Sequence, residues 1–92
     1  MIYIKEIIPD KNSVAIRPEG ILDPTSLPVL EEVLKNHLKG GKKILLDLGG
    51  VLHVSREAKD FLQGLKGSII FISSLEFKKL EKLDWEKLKY IH

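Results

Sequence analysis

The chain contains no cysteine, which removes disulfides, thiolate catalysis and cysteine-ligated zinc together. Tryptophan and methionine occur once each, and Gln63 is the only glutamine. With Lys and Glu dominating the charged residues, this usage is common in heat-adapted proteins. Long apolar runs are also missing. Met1 to Ile8 is broken by Lys5 and Glu6 and falls far short of the roughly 20 residues that span a bilayer. No signal peptide or membrane segment is read, and the cytoplasm is expected. Neither sign of charge dominates: the net charge is +2, and the basic residues are spread rather than massed. That argues against a nucleic-acid stripe or a polybasic membrane patch. His37, His53 and His92 lack metal-ligand spacing, and a partly buried, hydrogen-bonded imidazole is expected for the first two. The glycines form neither G-x-G-x-x-G nor a Walker loop. No nucleophile–base pair or paired carboxylates stand at readable spacing. No catalysis, metal or cofactor is therefore expected.

What is present suffices for one small domain over residues 1–92. Hydrophobic residues make up 43% of the chain and charged residues 30%, a balance that folds rather than stays disordered. Ile2 to Ile8 alternates partly and predicts a strand, ended by the turn cluster Pro9-Asp10-Lys11-Asn12. Ser13 to Arg17, with Val14 and Ile16 at period two, predicts an antiparallel partner that Pro18 and Gly20 end. Pro28 lacks an amide donor, so it belongs in the first turn of a helix capped at Thr25 or Ser26. Leu27, Leu30, Leu34 and Leu38 would form the buried stripe, and Gly40-Gly41 would stop the helix.

The most informative stretch runs from Lys42 to Leu65. Ile44-Leu45-Leu46 is a short unalternating apolar run, as in a strand covered on both faces. A tight linker around Gly49-Gly50 follows. Ala58, Phe61, Leu62 and Leu65 then fall at i, i+3, i+4 and i+7, one face of a helix. Ser55 supplies the N-cap and Gly67 the stop. Gly64 sits inside this helix, where close packing against a strand would explain it. Ile69 to Ile72 predicts a second interior strand, and a further helix is expected from Leu75 to Leu83. The tail from Asp84 fits either a continued helix through Trp85, Leu88 and Ile91 or a short edge strand. Strands alternating with helices predict an α/β fold: a single mixed sheet, mostly parallel with an antiparallel N-terminal strand, and helices packed against it.

Asp47-Leu48 and Val51 at the end of the third strand, with Gly20-Ile21-Leu22-Asp23 upstream, resemble the landmarks of STAS domains. That family includes anti-sigma factor antagonists and the cytoplasmic ends of sulphate transporters. The resemblance covers roughly Val14 to Phe71 and implies a protein partner, an anti-sigma factor of the kinase type or another STAS-containing assembly. It also implies that partner binding uses the Leu22–Ser26 loop, with Asp23, Thr25 and Ser26, and the start of the following helix, with Ser55, Arg56, Glu57 and Lys59. The family opens that helix with Asp-Ser-Ser-Gly and phosphorylates the second Ser. Here Ser55, Arg56, Glu57 and Ala58 stand in those four places, so a carboxylate occupies the acceptor position.

The expected function is a non-catalytic protein-interaction domain, active in signalling and transcription regulation, whose binding does not depend on phosphorylation. The alternatives are a phospho-switched antagonist using Ser55 and a small-ligand-binding α/β domain. Each site residue also has a plain structural reading. Glu57 in a first turn gains about 0.3–1 kcal/mol from the helix dipole. Ser55 as N-cap contributes about 1 kcal/mol. Asp23 before Pro24 suits an Asx turn. Asp47, ending a buried strand, is expected to bond nearby backbone amides.

Overall fold

A computed structural model describes residues 1–65 and 67–82. The fold is α/β, with five strands in one mixed sheet and three helices among the described residues. β1 (Ile2–Asp10) and β2 (Ser13–Leu22) form an antiparallel hairpin. α1 (Leu27–Lys39) leads to β3 (Lys43–Asp47), which pairs parallel with β2. β4 (Gly50–Val54) also pairs parallel with β2, further along. α2 (Arg56–Gly64), β5 (Ile70–Ile72) and α3 (Ser74–Glu81) complete the order, with β5 parallel to β3.

Period-two alternation sends the strands' side chains to two faces. Val14, Ile16, Leu22, Ile44 and Leu46 meet Leu30 and Leu34 of α1 and Ala58 and Leu62 of α2 on one face. On the opposite face Ile7 and Ala15 meet Phe77 of α3, flanked by Leu45, Ile72 and Leu80. Alternating charges on β1 tie each layer down. Glu6 meets His37 of α1 at 2.6 Å, and Lys5 meets Glu81 of α3 at 2.7 Å. His37 is thus half-buried and hydrogen-bonded as expected, whereas His53 on β4 is exposed.

Several expectations are corrected. Pro18 and Gly20 do not end β2, which runs on to Leu22. Pro18 lies where β2 passes from its pairing with β3, ending at Ile16, to its pairing with β4, beginning at Glu19. A residue lacking an amide is tolerated in that gap. Gly20 has φ +116°, and a Cβ there would lie 2.7 Å from the Met1 carbonyl oxygen. It sits at the register shift against β4, where only glycine takes this backbone shape without strain. The linker after Asp47 is itself a strand, β4. Its sequence, Gly50 to Val54, is short and opens with a glycine, which hid the pairing.

Among the described residues β5 stands at the edge of the sheet rather than in its interior, and Ile70 and Phe71 are 44% and 43% exposed. On α1 Leu30 and Leu34 are buried and Leu27 packs against the core as expected, while Leu38 is 40% exposed and Val33 packs on the core instead. Gly40-Gly41 do stop α1, with the Lys42 amide donating to the His37 carbonyl at 3.1 Å. On α2 the stripe centres on Ala58 and Leu62, leaving Phe61 and Leu65 half-buried at its margin. Gly64 is the last residue of α2 and faces open space, so it ends the helix instead of packing against a strand. α3 begins at Ser74 behind a Ser73 cap, whose hydroxyl accepts the Glu76 amide at 3.1 Å. The tail from Asp84, with its helix and strand alternatives, lies outside the described residues, as does Leu83.

Candidate functional site

The two loops singled out by sequence come together at the C-terminal ends of β2 and β4. Leu22 pairs with Val54 in the parallel register, and the Ser55 amide donates to the Leu22 carbonyl at 2.9 Å. The loop after Leu22 and the start of α2 are thereby neighbours. Ligands of open α/β sheets gather outside the carboxyl ends of strands, and these loops stand there.

Asp23 organises the first loop. Its carboxylate accepts from the Thr25 hydroxyl at 2.6 Å and from the Thr25 and Ser26 amides at 3.0 Å. Those bonds, led by the Thr25 hydroxyl, hold the Asp23 carboxyl down at about 2, below its ordinary 3.8. Ser26 is 5% exposed. Its hydroxyl donates to the Ile21 carbonyl at 2.6 Å and accepts the Asp23 amide at 3.0 Å. It flanks α1 at the N-cap position without a side-chain cap bond, so it locks the loop instead. Asp23 and Thr25 remain at the surface.

The second loop is a helix start. Ser55 is extended, and its hydroxyl accepts the Ala58 amide at 3.2 Å, the N-cap bond expected from its chemistry. Arg56, Glu57 and Lys59 are exposed, and Glu57 is the acid of the first turn. Nearby on the sheet, Ile21 pairs with His53, and both are exposed, as is Leu52 at 84%. The surface is thus a fixed Asx-type loop, a charged helix start and a few uncovered side chains on the strand ends.

Sequence reasoning did not find the cluster beneath this end of the sheet. Asp47 is 1% exposed, and its carboxylate pairs with the Arg17 guanidinium. It also accepts from the Gly49 amide at 2.8 Å and from the Ser74 hydroxyl at 3.1 Å. Arg17 further donates to Ser74 at 2.7 Å and to Glu19 at 3.1 Å, and these acids raise its already high pKa, Asp47 foremost. The expected backbone bond at Asp47 is present, and the ion pair and Ser74 add to it. Because Ile16 pairs with Leu46, residues 17 and 47 follow on the opposite face together. Period two places Arg17 and Asp47 on one face, but the parallel register that joins them is not written in either segment. The cluster fills the break between β3 and β4. A Cβ on Gly49 would collide with the Ser74 hydroxyl, and one on Gly50 would lie 3.0 Å from the Pro18 carbonyl oxygen. Gly49-Gly50 is therefore a close-approach pair.

Among the described residues, no group of three His, Asp or Glu side chains could hold a metal ion. No helix among them is long and apolar enough to cross a membrane. In comparisons with known proteins, no family model matches the chain and no curated protein matches it.

Proposed function

We propose that this chain is a non-catalytic protein-interaction domain of the STAS type, resembling anti-sigma factor antagonists. In this reading it binds a cytoplasmic protein partner without phosphorylation, through the Asp23–Ser26 loop and the start of α2. The observation that carries the reading is the juxtaposition of these loops by the Ser55–Leu22 hydrogen bond, with Glu57 exposed in the first turn of α2. That turn is where the family resemblance puts a removable charge. A phosphoserine carries about −1.5 to −2 charges, and Glu57 holds one permanently. The Ser55 hydroxyl is engaged as a cap, which favours the phosphorylation-independent form over a switch at Ser55.

Calorimetric titration with an anti-sigma factor of the kinase type, using the wild type and Glu57→Ser, tests the reading. A partner co-adapted to the carboxylate should bind Glu57→Ser about fivefold more weakly, equivalent to about 1 kcal/mol, and the difference should shrink as salt rises. Tighter binding by Glu57→Ser would identify Glu57 as a frozen dissociated state. Equal affinities would reduce it to a helix-start acid. Absence of heat with either form sinks the proposed partner class. Incubation with the kinase and ATP should leave Ser55 without phosphate by mass spectrometry.

A further inference from the structure

α3 lies over β1 and β2, and beside it a groove of about 380 Å³ opens over β3 and β5. Its floor is Leu45, Ile70 and Ile72, and its wall is Leu80. The register aligns that floor: Leu45 pairs with Ile70 and Asp47 with Ile72, so these apolar side chains share one face. The two ends of the groove differ in charge. At one end Asp47 is closed off by Arg17 and Ser74. The Glu76 carboxylate is drawn to the start of α3, where it accepts the Ser73 hydroxyl at 3.3 Å. Lys43 stands at the other end of β3, about 13 Å from Asp47 at the usual rise of a strand, and Lys79 lies on the second turn of α3. Both lysines line the groove and are exposed. Among the described residues neither forms an ion pair.

We propose that this groove binds a small amphipathic carboxylate, its apolar chain on the floor and its head group at Lys43 and Lys79. The lining asks for a ligand of two parts. A purely apolar molecule would leave both ammonium groups unused, and a compact anion would gain nothing from Leu45, Ile70 and Ile72. A chain with one charged end satisfies each. Charge complementarity sets the sign and size of the head: two free ammonium groups face one carboxylate that already has a partner, an excess of one positive charge that matches a monoanion. Lysine suits the task, because its apolar stem extends the wall while its flexible ammonium follows the head group. The volume falls within the range of small-molecule clefts, which are mostly apolar with a few polar groups that fix orientation. Ile44 and Leu46 seal the opposite face of the same strands, so the site is a trough on the surface. It lies on the sheet face away from α1 and α2 and does not depend on the partner reading.

Decanoate titrated into the full chain and followed by methyl NMR tests the assignment. Saturable shifts should be confined to Leu45, Ile70, Ile72 and Leu80, and nonanoate should bind about threefold more weakly for its missing methylene. Decanol, with the same chain length and no charge, should bind severalfold more weakly than decanoate, and acetate should leave these methyls unmoved. The double variant Lys43→Gln/Lys79→Gln changes two exposed side chains. It should lower the affinity for decanoate to that for decanol and leave decanol binding as it was. Equal affinities of the wild type for decanoate and decanol, or a double variant that still prefers decanoate, overturn the proposal. So do absent shifts, or shifts spread over the whole chain without saturation. Movement of the same methyls on dilution of the ligand-free protein also overturns it and assigns the groove to a second copy of the chain.

Discussion

Arg17 is the residue that ties β2, β3 and α3 together by polar bonds. It reaches Asp47, Ser74 and Glu19, and Asp47 has almost no access to water. Removing one partner from such a pair leaves a buried charge without compensation. Arg17→Leu should therefore destabilise the fold by about 3–5 kcal/mol in chemical denaturation, and adding Asp47→Leu should recover part of the loss. A loss below about 1 kcal/mol would mean that water replaces the guanidinium. Asp23 gives a prediction of opposite accessibility. Its folded pKa lies below its ordinary value, so its bonds favour the folded loop fully above an ordinary carboxyl's pKa. That contribution should fade as pH falls from about 3.8 through about 2. Carboxyl-carbon NMR should find the Asp23 midpoint near the lower figure, and a midpoint near 3.8 would show that the Thr25 and Ser26 bonds do not form in solution.

At the scale of elements, burial within α1 separates residues that the leucine periodicity treats alike. Leu30 is enclosed whereas Leu38 is exposed by two-fifths. Leu30→Ala should cost about 2–5 kcal/mol, while Leu38→Ala should stay within about 0.5 kcal/mol. Equal losses would mean that the helix is rotated about its axis. The Ser55 cap and the Gly40-Gly41 stop were legible because they are local chemistry: Ser55 bonds an amide three residues on, and Gly40-Gly41 end α1 where a stop was expected, whereas α2 ends at Gly64, short of the expected stop at Gly67. Strand ends were less legible. Pro18 and Gly20 punctuate the sequence, yet β2 passes through both, because its partner changes there. β4 was hidden for the complementary reason: its pairing depends on β2, about thirty positions earlier, and five residues beginning with glycine carry little signal of their own.

For the molecule as a whole, the alternation of apolar strands and helices gave the mixed α/β sheet, but strand order came from tertiary pairing. That is why β5, as apolar as β3, stands at the edge of the described sheet. The candidate site was half legible. Its surface residues Asp23, Thr25, Glu57 and Lys59 were picked out by local patterns and by the STAS resemblance. The Arg17–Asp47–Ser74 cluster beneath them needed contacts across 30 and 57 positions. Those separations also set a schedule. The β1–β2 hairpin joins neighbours and can pair early, whereas the Arg17 cluster is complete only once α3 has brought Ser74 to it. A contact made that late is absent at the summit of the folding barrier, so its loss is felt in the return direction. Stopped-flow measurements on Arg17→Leu should then show faster unfolding with the refolding rate almost unchanged. Slower refolding would place the cluster early. On that schedule the buried cluster would set how long the molecule stays folded, and the hairpin and the apolar layers how soon it gets there.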